Sequence, residues 1–308
     1  MGSLLANPLA SPLQLAASPS QSDGIPQDLE ASLRFAGCAL IQSAGILLRL
    51  PQTTVATAIV LLQRFYLVSS MREHPIRPTV SAALFLSSKL TEQARRPRDI
   101  INVLAYILSV PTPCPISPPK TGDFPETPNP ETYYVPESSY FAQRTHLLQL
   151  EAHILRAIAF QTHIALPYTL AINYLQALDA LKPHPTIVKR TFGYLTDALL
   201  SPSLLYLTHQ PNALAVAAIY LAARECGAKM PDAGLVPGVE VEAGWWDIFD
   251  VDREELGFLV VCLKAVGEWV GTEVEKWRGK WGDLLAVGED GSAEGLEREL
   301  ERRRRGEE

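Results

Sequence analysis

The stretch "AALFLSSK" at residues 82–89 returns as "AAIYLAAR" at 217–224. The two agree in type at every position: two alanines, an aliphatic, an aromatic, leucine, two small residues and a cation. A helix that is apolar almost all round belongs in the middle of a bundle, where neighbours surround it. Small residues four apart, Ala83/Ser87 and Ala218/Ala222, let those neighbours approach closely. A second echo sets "LRAI" at 155–158 against "LKAV" at 263–266. Lys89 precedes Leu155 by 66 residues and Arg224 precedes Leu263 by 39; the difference of 27 equals the length of the stretch 110–136. The chain is therefore expected to contain one helical unit twice, with an insertion in the first copy.

Helical periodicity fills in each copy. It begins at Asp28, with Leu33, Leu40 and Leu47 along one face. Pro51 breaks the pattern before a second helix through Val55, Ile59, Leu62 and Phe65. "HPIRP" at 74–78 opens the quoted helix, Pro97 opens a fourth that runs to about Leu108, and a fifth covers 138–159. Nine of the 24 prolines lie in 110–136, which reads as an exposed loop because no helix or central strand absorbs them. The second series is expected at 167–180, 186–200, 211–226, a short turn at 245–249 ("WWDIF"), and 253–270. Residues 1–26, rich in Ser, Pro and Ala, read as a disordered tail, and 276–308 as a charged one. The fold class is all-α.

Composition narrows the function. Of the 308 residues 47% are hydrophobic, enough for a substantial core, and the net charge of −7 argues against a broadly basic nucleic-acid surface. No apolar run approaches the ~20 residues that span a bilayer. Cys38, Cys114, Cys226 and Cys262 form no CxxC pair and read as reduced thiols, three of them buried in helices and Cys114 in the loop. No cofactor or metal is expected: the histidines have no HxxxH spacing, and there is no GxxxxGK[ST], GxSxG or kinase motif set.

The terminal cation of the repeated helix carries more information. Lys89 follows Phe85 by four residues and Leu86 by three, so it ends an apolar stripe. Glu151 interrupts another, four residues after Leu147, three before Ile154 and four before Leu155. A carboxylate placed there needs a partner. Lys89 is the candidate, directly or with both groups reaching polar atoms of another protein. The competing reading is plain: a lysine near a helix C-terminus favours the macrodipole, and most helical glutamates face water. The second copy keeps Arg224 but places Leu259 opposite Glu151.

These residues resemble a known family. Two tandem five-helix units with central "AALFLSSK"-like helices look like the two cyclin boxes of a cyclin. "LRFAGCALIQSAGILLRLPQTTVATAIVLLQRFY" (33–66), "SSKLTEQARRPRDIINV" (87–103), "NYLQAL" (173–178) and "VAAIYLAAR" (216–224) are most similar to cyclin L, with cyclin Q second around "RDIIN" and "WWDIF". The resemblance covers roughly residues 28–270. It implies a first box at 27–165, with the insertion at 110–136, and a second at 166–275. It further implies that Lys89 and Glu151 grip a cyclin-dependent kinase, within a kinase-binding set that adds Phe85, Leu86, Leu90 and Glu92. The expected function is a non-enzymatic, nuclear regulatory subunit, in a heterodimer with that kinase, in transcription or pre-mRNA processing. Where cell-cycle cyclins carry a substrate-docking patch this chain reads "LRFAGCALI", and its last residues, "ERRRRGEE", are not of the arginine-serine type. Neither docking to substrates nor a direct splicing role is therefore carried over.

Other constellations have two readings each. Arg95, Arg96 and Arg98 could bind an acidic or phosphorylated segment, or simply form a solvated turn. Trp245 and Trp246 could mark a binding surface, though such a pair more often anchors a core. Ser11, Ser18, Thr112, Ser117, Thr127 and Ser201 each precede proline, the pattern used by proline-directed kinases. The rival readings of the whole chain are a transcription-factor-like module of the same fold, binding polymerase or nucleic acid, and a scaffold that activates no kinase.

Overall fold

A computed structural model describes residues 6–109, 133–181, 183–230 and 244–286, and no strand occurs among them. They group into two compact units. One gathers the described residues of 10–162 and those from 272 onward; the other gathers those up to 9 and 163–271.

The first unit contains α1 (Pro12–Ala16), α2 (Pro19–Ser22), α3 (Gln27–Leu47), α4 (Gln52–Tyr66), α5 (Ile76–Leu90), α6 (Pro97–Ser109) and α7 (Glu137–Ala157). Prolines 26, 51, 75 and 136 stand at the N-caps of α3, α4, α5 and α7. Their fixed φ sets each start, and they lack the N–H that a cap position would leave unbonded. Inside the bundle lies α5, buried continuously from Thr79 to Ser88, with α3, α4, α6 and α7 packed around it. Two glycines let α3 come in. A Cβ on Gly37 would lie 2.8 Å from the Ile76 side chain, and one on Gly45 2.4 Å from that of Val55; any larger residue would have to displace those side chains from their packing.

Four helices, α3, α5, α7 and the helix before residue 179, end alike. Arg49, Glu92, Ala159 and Asp179 take left-handed φ values. The next residue's N–H then reaches five residues back: Leu50 to Gly45, Gln93 to Ser88, Phe160 to Leu155, Ala180 to Leu175. This Schellman closure satisfies carbonyls that would otherwise be left open.

The second unit repeats the plan with α8 (Pro167–Ala177), α9 (Thr186–Ala198), α10 (Leu205–Thr208), α11 (Pro211–Cys226), a 3-10 turn (Trp245–Phe249) and α12 (Arg253–Lys276) as far as residue 271. Here α11 is the central helix, buried from Ala213 to Ala223 except at the half-buried Tyr220. The 3-10 turn occupies the place that α6 has in the first copy. Its Trp245 is buried against Phe249, which stacks on Tyr174 at 4.0 Å between ring centroids. The tryptophan pair thus anchors a core through Trp245.

Several expectations need correction. Residues 6–26, read as a disordered tail, carry α1 and α2 and bury Ser18, Ser20 and Ile25. The reading failed because serine and proline here serve as helix caps. The charged tail also starts too early. α12 runs six residues past its expected end at 270, Trp277 is buried, and a short helix α13 (Trp281–Ala286) packs on α3 and α5. Its Trp281 lies 5.7 Å from Phe35. Of the cysteines Cys38 is buried, while Cys226 and Cys262 are only half-buried. Cys114, most of the proline-rich stretch and the run after 286 lie outside the described residues.

In the second unit the backbone at residue 7 is held by two side chains, its own and that of Gln210. Asn7 Nδ2 donates to the Ala165 carbonyl and Asn7 Oδ1 accepts from the Ala165 N–H, both at 2.8 Å. Gln210 does the same for the Asn7 backbone, at 2.9 and 3.0 Å. Asn7 is buried, so truncation strands the amide groups of residue 165. Asn7→Ala is expected to lower stability by about 1–3 kcal/mol in denaturant titration, with unfolding of the second unit moving first by hydrogen exchange.

Candidate functional site

The two charges singled out in the sequence meet. Lys89, in the last turn of α5, and Glu151, in the third quarter of α7, form a salt bridge between Nζ and Oε1. Their exposures differ: the side chain of Lys89 is 43% accessible and that of Glu151 10%. The carboxylate is therefore held inside the α5–α7 seam while the ammonium sits at its rim. Lys89 Nζ also lies 4.4 Å from the Phe85 ring centroid, a cation–π contact to the residue one turn earlier. Lys89 has three N–H donors, and the pair leaves part of that capacity facing solvent.

The structure sorts the other residues. Phe85 and Leu86 are buried and belong to the core, whereas Leu90 is 41% exposed beside Lys89 in sequence. Glu92 is exposed, and its left-handed backbone ends α5; Gly227 holds the matching position after α11. Sequence reasoning missed Leu148 and Phe141, both exposed on α7. Leu148 precedes Glu151 by three residues and Phe141 precedes Leu148 by seven, so a helical periodicity count on the outward face would have found them. It also missed the tie that fixes the end of α5. Thr91 Oγ1 bonds Ser87 O at 2.9 Å and lies 2.8 Å from Thr54 Oγ1 at the start of α4.

The three arginines separate. Arg95 donates from Nε to the Leu48 carbonyl at 3.1 Å and from Nη2 to that of Arg49 at 3.3 Å, closing the C-terminal end of α3. Arg98 lies over the Tyr140 ring at 4.9 Å, joining α6 to α7. Arg96 is exposed, and its carbonyl caps the start of α6. Arg95 is thus spent on the fold, and the structure does not gather the three guanidinium groups on one anion site.

A pair of histidines stands near the start of α5, with one of them two residues from Glu151 on α7. His74, just before α5, packs against Phe65 and against His153 of α7, with ring centroids 5.3 and 5.4 Å apart. Burial holds the His74 pKa below its ordinary value of 6.5; His153 and His146 push the same way and Glu73 opposes. A histidine kept neutral by the fold binds its proton more readily when unfolded, so stability falls as pH drops below about 6.5. His74→Phe is expected to flatten that acid limb in melting temperatures measured between pH 7.5 and 5.

In the second unit Arg224 stacks on Tyr220, 5.8 Å from its ring centroid and four residues back, as Lys89 does on Phe85. On α12 the residue matching Glu151 is the fully buried Leu259. That contrast makes a stability prediction. Lys89→Ala leaves a buried carboxylate without its cation and is expected to cost about 1–2 kcal/mol, reduced from the fully buried case by the solvent at Lys89. Joint replacement by Lys89→Met and Glu151→Leu is expected to come within ~1 kcal/mol of the parent, measured by chemical denaturation.

Among the described residues no group of His, Cys, Asp and Glu could hold a metal, and no helix is long and apolar enough to cross a membrane.

The family described as "Cyclin, N-terminal domain" matches residues 14–163. Cyclin-L1 of Xenopus laevis is 34% identical over 273 residues, spanning 85% of this chain and 49% of that protein. Cyclin-L1 of Homo sapiens is 31% identical over 256 residues, spanning 82% and 43%. The chain thus spans less than half the length of these relatives. Among solved structures, a chain of the yeast RNA Pol II CTD kinase CTDK-1 complex superposes with a TM-score of 0.63 at 14% identity, over 84% of this chain and 72% of that one. A chain of the Chaetomium thermophilum CAK complex bound to ATP-gamma-S superposes at 0.51 and 17% identity, over 90% and 78%.

Proposed function

The chain belongs to the cyclin family, and from that premise we propose that it is the regulatory subunit of a cyclin-dependent protein kinase serving transcription or RNA processing in the nucleus. The observation that carries the reading is the Lys89–Glu151 pair. A pair that served the fold alone would gain little from leaving its ammonium at the rim, since half-exposed ion pairs contribute ~1 kcal/mol or less. A pair that offers spare donors between exposed Leu90 and Leu148 suits a partner's backbone carbonyls flanked by apolar side chains. Charged anchors set among apolar contacts fix register and exclude wrong partners.

The mechanism follows from phosphoryl transfer. A protein kinase is active when the glutamate of its C-helix pairs with its ATP-binding lysine and the activation loop is ordered. A partner that contacts only this arrangement shifts the population toward it. In this reading Lys89, Glu151, Leu90 and Leu148 supply the differential contacts, Phe85 and Leu86 hold α5 in place beneath them, and the chain itself transfers no phosphate. The relatives named above are cyclin L proteins, and one fold neighbour belongs to the yeast RNA Pol II CTD kinase CTDK-1 complex. The neighbour supports the transcription-linked branch of the proposal.

Lys89→Glu is expected to abolish co-purification of a cyclin-dependent kinase from the native cell while leaving the helical circular dichroism intact. Leu148→Asp, on the surface of α7, is expected to weaken capture by about ten-fold or more, as loss of an apolar anchor does. Kinase recovery at parental levels with both variants would remove this seam from the interface.

A further inference from the structure

The N-terminal segment contains an arrangement that kinase binding does not use. Two Ser-Pro dipeptides stand seven residues apart, each continued as Ser-Pro-x-Gln: Ser11-Pro12-Leu13-Gln14 and Ser18-Pro19-Ser20-Gln21. Each opens a short helix with serine as N-cap and proline in the first turn. They differ in what the serine touches. Ser11 is exposed and bonds only within its own turn, its Oγ accepting from the Gln14 N–H. Ser18 is 5% exposed. Its Oγ accepts from the Gln21 N–H at 3.1 Å and donates to Glu30 Oε2 at 2.8 Å.

Glu30 is a buried carboxylate on α3, 1% exposed. Oε2 also accepts from Gln21 Nε2 at 2.9 Å, and Oε1 pairs with Arg34 one turn on. The rest of the segment is held more lightly. The Met71 N–H donates to Ser20 Oγ at 3.0 Å, Arg72 Nη1 donates to the Asp23 carbonyl at 3.1 Å, and Ile25 is buried. Residues 10–26 thus form a strap across the start of α3 and the turn at 70–72, latched by the Ser18–Glu30 hydrogen bond.

We infer that Ser18 is a phosphorylation site for a proline-directed protein kinase, and that its modification holds the strap off the first unit. In the reaction Ser18 Oγ attacks the γ-phosphorus of ATP. The Oγ–P bond forms, the bond from γ-phosphorus to the β,γ-bridging oxygen breaks, ADP departs, and the hydroxyl proton passes to the kinase's base. That proton is the one Glu30 accepts in the docked strap. Modification therefore removes the latch and sets about −1.5 to −2 charges where a carboxylate must lie at hydrogen-bond distance. Arg34 is already paired with that carboxylate and supplies a single positive charge against the sum.

Burial fixes the order of events. A docked Ser18 is capped, buried and out of a kinase's reach, so the substrate is the chain with its strap open. Local opening of lightly held segments precedes such modification, and the phosphate then traps the open state. Ser11 supplies the internal comparison: the same motif with no buried acid beneath it.

The test uses the full chain with Mg-ATP and a purified proline-directed kinase, following occupancy at each serine by mass spectrometry. Ser11 is expected to label promptly and Ser18 at least about ten-fold more slowly, the lag reflecting the rarity of opening. Glu30→Gln, which weakens the latch, is expected to speed Ser18 and leave Ser11 unchanged. Hydrogen exchange gives the second readout. Chains phosphorylated at Ser18 are expected to lose protection at the Met71 amide, whereas chains phosphorylated at Ser11 alone keep it. Ser18 refractory to the kinase in both parent and Glu30→Gln, Ser18 labelled as fast as Ser11, or phospho-Ser18 with Met71 still protected would each overturn the inference.

Discussion

The structure depends on how closely neighbours can approach one helix. α5 lies inside its bundle with helices on several sides, and that geometry closes only if its side chains are small where the others cross. Ser87 and Ser88 meet the need while carrying hydroxyls into a dry core. Each hydroxyl bonds a carbonyl of its own helix, Leu84 at 3.0 Å and Phe85 at 2.8 Å, so neither is left unsatisfied. α11 reaches the same end with Ala222 and Ala223. The partner helix α3 contributes by omission, with glycine at 37 and 45 where any Cβ would strike Ile76 or Val55. With α5 so fixed, Lys89 has one place to go: out of the last turn, at the mouth of the seam with α7.

The plan of the fold was legible because repetition and punctuation agree. The repeated eight-residue pattern located both central helices, and prolines 51, 75, 97 and 167 marked where helices begin. The pairing of Lys89 with Glu151 was legible for a different reason: a charge that interrupts an apolar stripe must be compensated, and only one opposite charge lay at a matching interruption. Whether such a pair is shared with another protein is not written in spacing at all. Burial of Phe85 against exposure of Leu90 was equally invisible, since both are apolar and five residues apart; it is the end of α5 at Thr91, tied to Thr54, that leaves one inside and the other outside.

What the sequence concealed were segments where few residues hold much structure. The strap at 10–26 has the composition of a flexible tail, yet its order comes from two serine caps, one buried isoleucine and one buried glutamate twelve residues further on. Capping needs little hydrophobicity, so a reading weighted by apolar periodicity passes over it. The other end failed in the opposite sense. Trp277, Trp281, Leu284 and Leu285 form an apolar face, but the dense charge just beyond them dominated the window. The arginines at 95–98 misled by type: a guanidinium that closes a helix end and one that stacks on tyrosine read in sequence like a pair of anion ligands.

Comparison of the two copies argues that function was added to a scaffold rather than built into it. Both central helices end in a cation stacked on an aromatic residue one turn earlier, Lys89 on Phe85 and Arg224 on Tyr220, so that contact belongs to the shared architecture. Both helices close through a left-handed residue, Glu92 in one and Gly227 in the other. Only the first copy has a carboxylate at the position of Glu151. The second fills that position with Leu259, fully buried, which shows that the fold accepts an apolar residue there without loss of order. A buried acid where a leucine would serve is more costly to desolvate, and a cost borne in one copy and not its twin points to a demand from outside the bundle.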